Sequence, residues 1–193
     1  MSLASAPRLR PGRVYRTHDL ERWSANAPRL AQRLVRDGKL LPLAHGLFAS
    51  PGKSRFGAVP PSEHEVMRAF LEGGPFVFTG PDRWNALGLG TTAVFAMPLV
   101  YNTKRSGEFE LGGRRYLLRR VAFPKTVTAE WFAVDLFEHA SQAGTSRADL
   151  AEALVRALSR GVFDRERLRE MANRYGTKQT AALVDSALEA SGG

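Results

Sequence analysis

Between Ala27 and Asp37 apolar residues recur at helical spacing, and directly after Gly38 the pattern changes to two short strand-like runs around His45-Gly46. A helix giving way at once to a hairpin restricts this part of the chain to few layouts. On a helical wheel with Arg29 at zero, Arg33 falls at about 40°, Arg36 at about 340° and Gln32 at about 300°. Leu30, Leu34, Ala31 and Val35 take the opposite side, from about 100° to about 240°. Four long polar side chains thus share one arc, and Asp37, at the helix end, is its only acid. Upstream, Thr17 is expected to cap a short helix through Trp23. Ser24-Ala25-Asn26 offers a turn with two good N-cap residues, and Gly38 a C-cap.

Two helices followed by a hairpin is the layout of a winged helix-turn-helix, in which one helix enters the major groove and the hairpin rides on the neighbouring backbone. Arginine suits guanine edges and phosphates, and glutamine suits adenine. The expected DNA contacts are Ser24, Asn26, Arg29, Gln32, Arg33 and Arg36, with His45 and Gly46 at the wing tip. Free N–H groups at the helix start would add a phosphate contact. Arg16 and Lys39 suit either phosphate contacts or plain surface. A solvated basic face on a protein-interaction module would carry the same pattern.

Charge adds a second constraint. The chain of 193 residues has a net charge of +9. Residues 1–56 hold 11 basic and 3 acidic residues, a net of +8, and the rest hold 17 and 16. A basic excess confined to one region points to a polyanionic partner, through attraction to phosphates and counterion release.

PGKSRFGAVPP, residues 51–61, is rich in structure-breaking proline and glycine and reads as a linker. The expected fold is α+β. A winged helix-turn-helix domain spans 1–52. Over 58–193 follows a mixed α/β domain with a small antiparallel sheet and a helical C-terminal tail. In that second part SEHEVMRAFLEGG reads as a helix capped by Ser62, with Glu65 completing a capping box. PFVFTG and TTAVFAMPLVYNT read as strands. EFELGG and RRYLLRRVAF read as strands joined by a Gly112-Gly113 turn. Thr79 or Asp82 is expected to cap a short helix carrying Trp84 and Leu87. WFAVDLFEHA reads as a strand turning into a helix. Three helices close the chain, the last two capped by Asp164 and Thr177.

Several classes of chemistry lack their residues. No cysteine is present, so disulfides, thiolate zinc sites and cysteine nucleophiles are excluded. His18, His45, His64 and His139 are scattered without metal-ligand spacing. There is no P-loop motif. GLGTTA at 88–93 imitates a dinucleotide fingerprint but follows a helix-like segment, and reads as loop. Glu108 and Glu110 alternate along a strand, the pattern of a solvated face. No catalytic residue, metal or cofactor is expected. With no long apolar run and no apolar core near the start, the chain is expected in the cytoplasm, away from membranes.

A second basic surface is expected around Arg114, Arg115, Arg119 and Arg120, with Lys104, Arg105 and Lys125 nearby. It would extend a DNA footprint or meet an acidic protein, or it would simply protect an edge strand by charge.

The run L-x-x-x-L-V-R-D-G-K-L followed by P-L-A-H-G-L-F, carried by Leu30, Leu34, Gly38, Leu40, Gly46 and Phe48, resembles the N-terminal winged helix of AbiEi-type antitoxins. FVFTGPDRWNALGL, with Ala86, Leu87, Gly88 and Leu89, and the strand layout of TTAVFAMPLVYNTKRSGEFELGGRRYLLRRV are similar to that family's second part. In this chain the alanine-leucine and glycine-leucine steps adjoin without the family's spacer. The resemblance covers about residues 13–125. It implies a winged helix that binds double-stranded DNA at its own promoter and represses it. It also implies a second domain that counteracts a nucleotidyltransferase-like toxin. Two other readings stay open: a ligand-responsive winged-helix regulator with no toxin, and a winged-helix protein-interaction module.

Overall fold

The computed structural model describes residues 7–55 and 57–192. Residues 1–6, part of the stretch read for a leader, and Phe56, within the expected linker, lie outside them. Seven α-helices and nine strands among the described residues make the chain mixed α+β. It divides into two compact units: residues 1–76 with 103–116, and residues 77–102 with 117–193.

The first unit opens with β1 (Val14–Arg16), a single turn of 3-10 helix (Thr17–Leu20) and α1 (Ala27–Arg36). β2 (Leu41–Ala44) and β3 (Leu47–Ala49) follow, and the three strands form an antiparallel sheet in the order β1-β3-β2. Tyr15, Leu20, Ala27, Leu30, Ala31, Leu34 and Leu40 are buried together beneath α1. Each leucine removed from water in this way contributes ~1.5–3 kcal/mol. The expected helix from Thr17 through Trp23 is shorter and tighter than its pattern implied. Thr17 is its first residue rather than its cap, and Asp19 Oδ2 accepts the Arg16 N–H at 2.7 Å.

The expected boundary between 52 and 58 does not coincide with the division into units. β4 (Gly52–Ser54) and β5 (Gly57–Val59) pair antiparallel, so the proline- and glycine-rich segment forms a hairpin. Beyond it, α2 (Glu63–Phe70) belongs to the first unit. Ser62 Oγ caps α2 by accepting the Glu65 N–H at 3.2 Å. The Glu65 carboxylate does not complete a capping box. It turns to Arg68 and to the β1 amide of Val14. Arg16 donates to the carbonyls of Ala69 and Phe70 and pairs with Glu72 at 2.9 Å. A cation at a helix C-terminus is favoured by the helix dipole, so Arg16 ties β1 to α2 and is not a spare phosphate contact. β8 (Gly107–Leu111) also lies in this unit, and the expected Gly112-Gly113 turn leads from it into β9 (Arg114–Arg120).

β6 (Phe76–Thr79), in the second unit from Val77 on, neighbours β7 (Leu99–Asn102). β7 pairs in parallel with the second half of β9, Leu99 opposite Leu117 and Asn102 opposite Arg120. The expected antiparallel sheet is therefore corrected to a mixed one. All four β7 residues are buried, the pattern of a strand covered on both faces. The strand expected over TTAVFAMPLVYNT is confined to its last third, and residues 91–95 are irregular. α3 (Pro81–Asn85) starts after Gly80 without a side-chain cap and ends before Leu87, so neither Thr79 nor Asp82 has the capping role expected.

The remaining helices are α4 (Ala129–Glu138), α5 (Arg147–Ser159), α6 (Arg165–Tyr175) and α7 (Lys178–Ala190). α4 covers the stretch read as strand-then-helix. It is buried nearly all round, and an apolar run of that kind has no period to separate helix from strand. Asp164 and Thr177 cap α6 and α7 through the amides of Arg167 and Thr180. The core of this unit joins Trp84, Trp131, Phe137, Leu150, Leu154, Leu168 and Val184. No helix among the described residues is long and apolar enough to cross a membrane.

Candidate nucleic-acid interface

α1 carries the segregated face in three dimensions. Arg29, Gln32, Arg33 and Arg36 are exposed, while Ala27, Leu30, Ala31 and Leu34 are buried. The four polar side chains make no hydrogen bond or ion pair with another described residue. Arg33 and Arg36 lie in the last turn, where the helix dipole favours cations. Gly38, at φ +67°, ends the helix, and the amides of Lys39 and Leu40 both reach the Leu34 carbonyl.

The helix start differs from what its sequence implied. Asn26 Oδ1 accepts the Arg29 N–H at 3.1 Å, and Ser24 Oγ accepts the Asn26 N–H at 3.2 Å. Pro28 has no N–H to offer. The expected phosphate contact through free amides is thus largely consumed by local capping. Ser24 and Asn26 hold the helix start and retain only their own donor groups for a ligand. Just upstream, the Arg22 guanidinium lies 4.0 Å from the centroid of the Trp23 ring, a pairing the sequence pattern did not reveal.

The hairpin β2–β3 turns at exposed His45 and at Gly46 (φ +67°). Its tip is short and held. Thr17 N–H donates to the Gly46 carbonyl at 3.0 Å. A Cβ at Gly46 would stand 3.3 Å from Thr17 Oγ1. The β2–β3 register slips between Pro42 and Ala44, which frees the Leu43 carbonyl to accept the Gly112 N–H at 2.8 Å. Proline without a donor and a bulge are both suited to an edge strand.

No protein-family model matches this chain, and no curated protein matches it. The crystal structure of the RV2827C protein from Mycobacterium tuberculosis is similar in fold, at 16% sequence identity and a TM-score of 0.52, over 99% of this chain and 81% of that one. The likeness supports the mixed α+β architecture.

The second basic surface is different in kind from α1. All four arginines are exposed, but Arg114 pairs with Glu63 at 2.6 Å and Arg115 with Glu108. The Arg119 carbonyl accepts from Asn102, and the unit division separates Arg114 and Arg115 from Arg119 and Arg120. Burial, then the Glu63 carboxylate, pushes the neighbouring Tyr116 phenol up to about 12. Lys104 bonds Glu72, and the pairing with Lys104 and Arg16 holds that carboxyl below its ordinary range. Glu63 and Glu72 come from α2 and the turn after it, so the charge balance of β8 and β9 alone overstates the free positive surface. The basic excess nevertheless follows the first unit, whose ranges hold 16 basic and 8 acidic residues against 12 and 11 in the second.

The second unit contains a buried polar cluster invisible in the sequence. Asp135 accepts hydrogen bonds from the Thr79 hydroxyl at 2.5 Å, Trp84 Nε1 at 2.9 Å and the Tyr101 hydroxyl at 2.8 Å. His139 lies between the Asp135 carbonyl and Tyr101, stacked 5.3 Å from the Trp84 ring. Burial, then the Asp135 charge, pushes the Tyr101 phenol far above its ordinary value.

Proposed function

We propose that the chain is a DNA-binding regulator that places α1 in the major groove of its own promoter as the recognition helix of a winged helix. The observation that carries this reading is the contrast on α1 itself. Its exposed arc of Arg29, Gln32, Arg33 and Arg36 has no internal partner among the described residues, whereas Arg16, Arg68, Arg114 and Arg115 of the same unit pair with acids. The order strand, short helical turn, helix, hairpin supports the same reading, as does the basic excess of that unit. Arg29, Gln32 and Arg33 supply base-edge donors, and Arg36 and Lys39 supply phosphate contacts. Ser24 and Asn26 fix the helix start, and His45 and Gly46 form a short wing tip.

On the family resemblance of residues 13–125, the repressed operon encodes a nucleotidyltransferase-like toxin and this chain is its antitoxin, with no catalysis of its own. The test is fluorescence anisotropy with the upstream DNA and a scrambled duplex across a salt series, for the native chain and for Arg29→Ala/Arg33→Ala. Tighter binding to the native duplex, lost in the double variant, supports the recognition helix. Equal, weak, steeply salt-dependent binding to both duplexes reduces the charge to generic attraction. No binding to either leaves an interaction module. The antitoxin role is tested by co-expression with the neighbouring gene: its product should arrest growth alone and not beside this chain.

A further inference from the structure

The second unit holds a cleft of about 300 Å³, at the lower end of the range for small-molecule sites. Trp131, Tyr101 and Tyr175 supply aromatic walls, and Asp135 and Glu138 bring two carboxylates to the lining. Tyr101 and Trp131 meet nearly perpendicular, with centroids 6.1 Å apart. No lysine or arginine lines the cleft, although the chain as a whole is strongly basic. The aromatic walls are electron-rich faces, to which a desolvated cation is attracted.

The two carboxylates are not equally committed. Asp135 is buried, and both its oxygens accept hydrogen bonds from its neighbours. Glu138 Oε1 accepts from the Thr177 amide at 2.8 Å and the Thr177 hydroxyl at 3.1 Å. Among the described residues its Oε2 meets only the Arg147 guanidinium, at 4.0 Å, and so keeps acceptor capacity. Burial opposes ionisation of Glu138, but the Thr177 hydrogen bonds and Arg147 outweigh it and hold the carboxyl below its ordinary value. Next to it, Arg174 already lies 5.5 Å from the Tyr175 ring, a cation held by one of the same aromatics.

We propose that this cleft binds a small organic cation, its ammonium or guanidinium group held between the aromatic walls and the Glu138 carboxylate. The site uses residues of the second unit alone and does not depend on the DNA-binding reading.

The test is calorimetric titration of the full chain with choline, with agmatine, and with 3,3-dimethyl-1-butanol, the uncharged isostere of choline. The expected result is saturable binding of at least one cation and none of the alcohol. Glu138→Gln, which keeps an oxygen for Thr177, should weaken binding about tenfold, equivalent to roughly 1.4 kcal/mol. Val121 is half exposed on the lining, and Val121→Trp should fill the cleft and abolish binding while leaving both carboxylates in place. Circular dichroism confirms that each variant is folded. Equal binding of the alcohol, or full affinity in folded Glu138→Gln, would overturn the cation assignment. Absence of saturation with both cations would overturn the site.

Discussion

The Leu43 carbonyl accepts a 2.8 Å hydrogen bond from the Gly112 amide, which fastens the bulged edge of the β2–β3 hairpin to the turn after β8. Gly112 and Gly113 both have positive φ, at +62° and +81°. Their surroundings differ: a Cβ at Gly112 would stand 2.9 Å from Leu43 Cδ2, whereas one at Gly113 meets nothing within 4 Å. Gly113→Ala should therefore cost only the backbone strain, about 1–2 kcal/mol. Gly112→Ala should cost more, because Leu43 must also move. Urea denaturation of the two variants checks the order, and equal losses would mean that the crowding against Leu43 adds nothing.

Asp135 is the acceptor on which three buried donors converge, from Thr79, Trp84 and Tyr101. Asp135→Ala leaves those donors without a partner, at ~1–3 kcal/mol for each buried group left unsatisfied. The expected outcome is a loss of several kcal/mol in thermal or chemical denaturation. Asp135→Asn, which keeps one acceptor oxygen, should lose less.

The parts of this architecture that were legible in the sequence are local. Arg29, Gln32, Arg33 and Arg36 fall on the exposed side of α1 because one helical period sets them all. Asp164 and Thr177 cap because capping needs only a residue three positions on. What was not legible depends on partners far apart in the chain. Thr79, Trp84, Tyr101 and Asp135 come from four separate elements. The parallel pairing of β7 with β9 depends on which strand is inserted beside which, and turn signals do not encode that. Arg16 and Arg114 read as free charge in the sequence, and only the placement of α2 and the turn after it brings Glu72 and Glu63 to them.

Glu130 and Glu138 give the fold an acid-sensitive component. For both, burial opposes ionisation, but the hydrogen bond from the Asp164 amide and the Arg167 charge at Glu130, and the hydrogen bonds from the Thr177 amide and hydroxyl and the Arg147 charge at Glu138, outweigh it. Both carboxyls therefore stay below their ordinary 4.5. A depressed folded value means the stabilisation is fully present above 4.5 and is lost as pH falls through the lower folded value. Denaturation midpoints should drop as pH falls below 4.5, and Glu130→Gln/Glu138→Gln should show a shallower drop. An unchanged slope in that variant would assign the acid sensitivity to other groups.

Asn26 has two separable roles, as the cap of α1 and as a neighbour of the proposed DNA face. Asn26→Ala removes the acceptor for the Arg29 amide and should cost about 1 kcal/mol. Asn26→Asp retains the cap, so stability should stay near the native value while a negative charge is added beside the helix start. If Asn26 acts through the cap alone, DNA affinity falls in the alanine variant through fraying. If its side chain meets phosphate, the aspartate variant loses more affinity despite its intact stability. Paired denaturation and anisotropy measurements separate the two.

The two sets of arginines should behave differently toward duplex DNA. Arg29 and Arg33 have no internal partner among the described residues, so Arg29→Ala/Arg33→Ala should abolish the preference for the native duplex. Arg115 already faces Glu108, and exposed pairs of that kind contribute ~0–1 kcal/mol to stability. Arg115→Ala/Arg119→Ala should therefore leave both fold and preference intact. Any residual role at the DNA backbone would show as a reduction in the salt slope, by about 0.9 for each phosphate no longer neutralised. Loss of preference in the Arg115/Arg119 variant, with α1 untouched, would move recognition from the helix to β9.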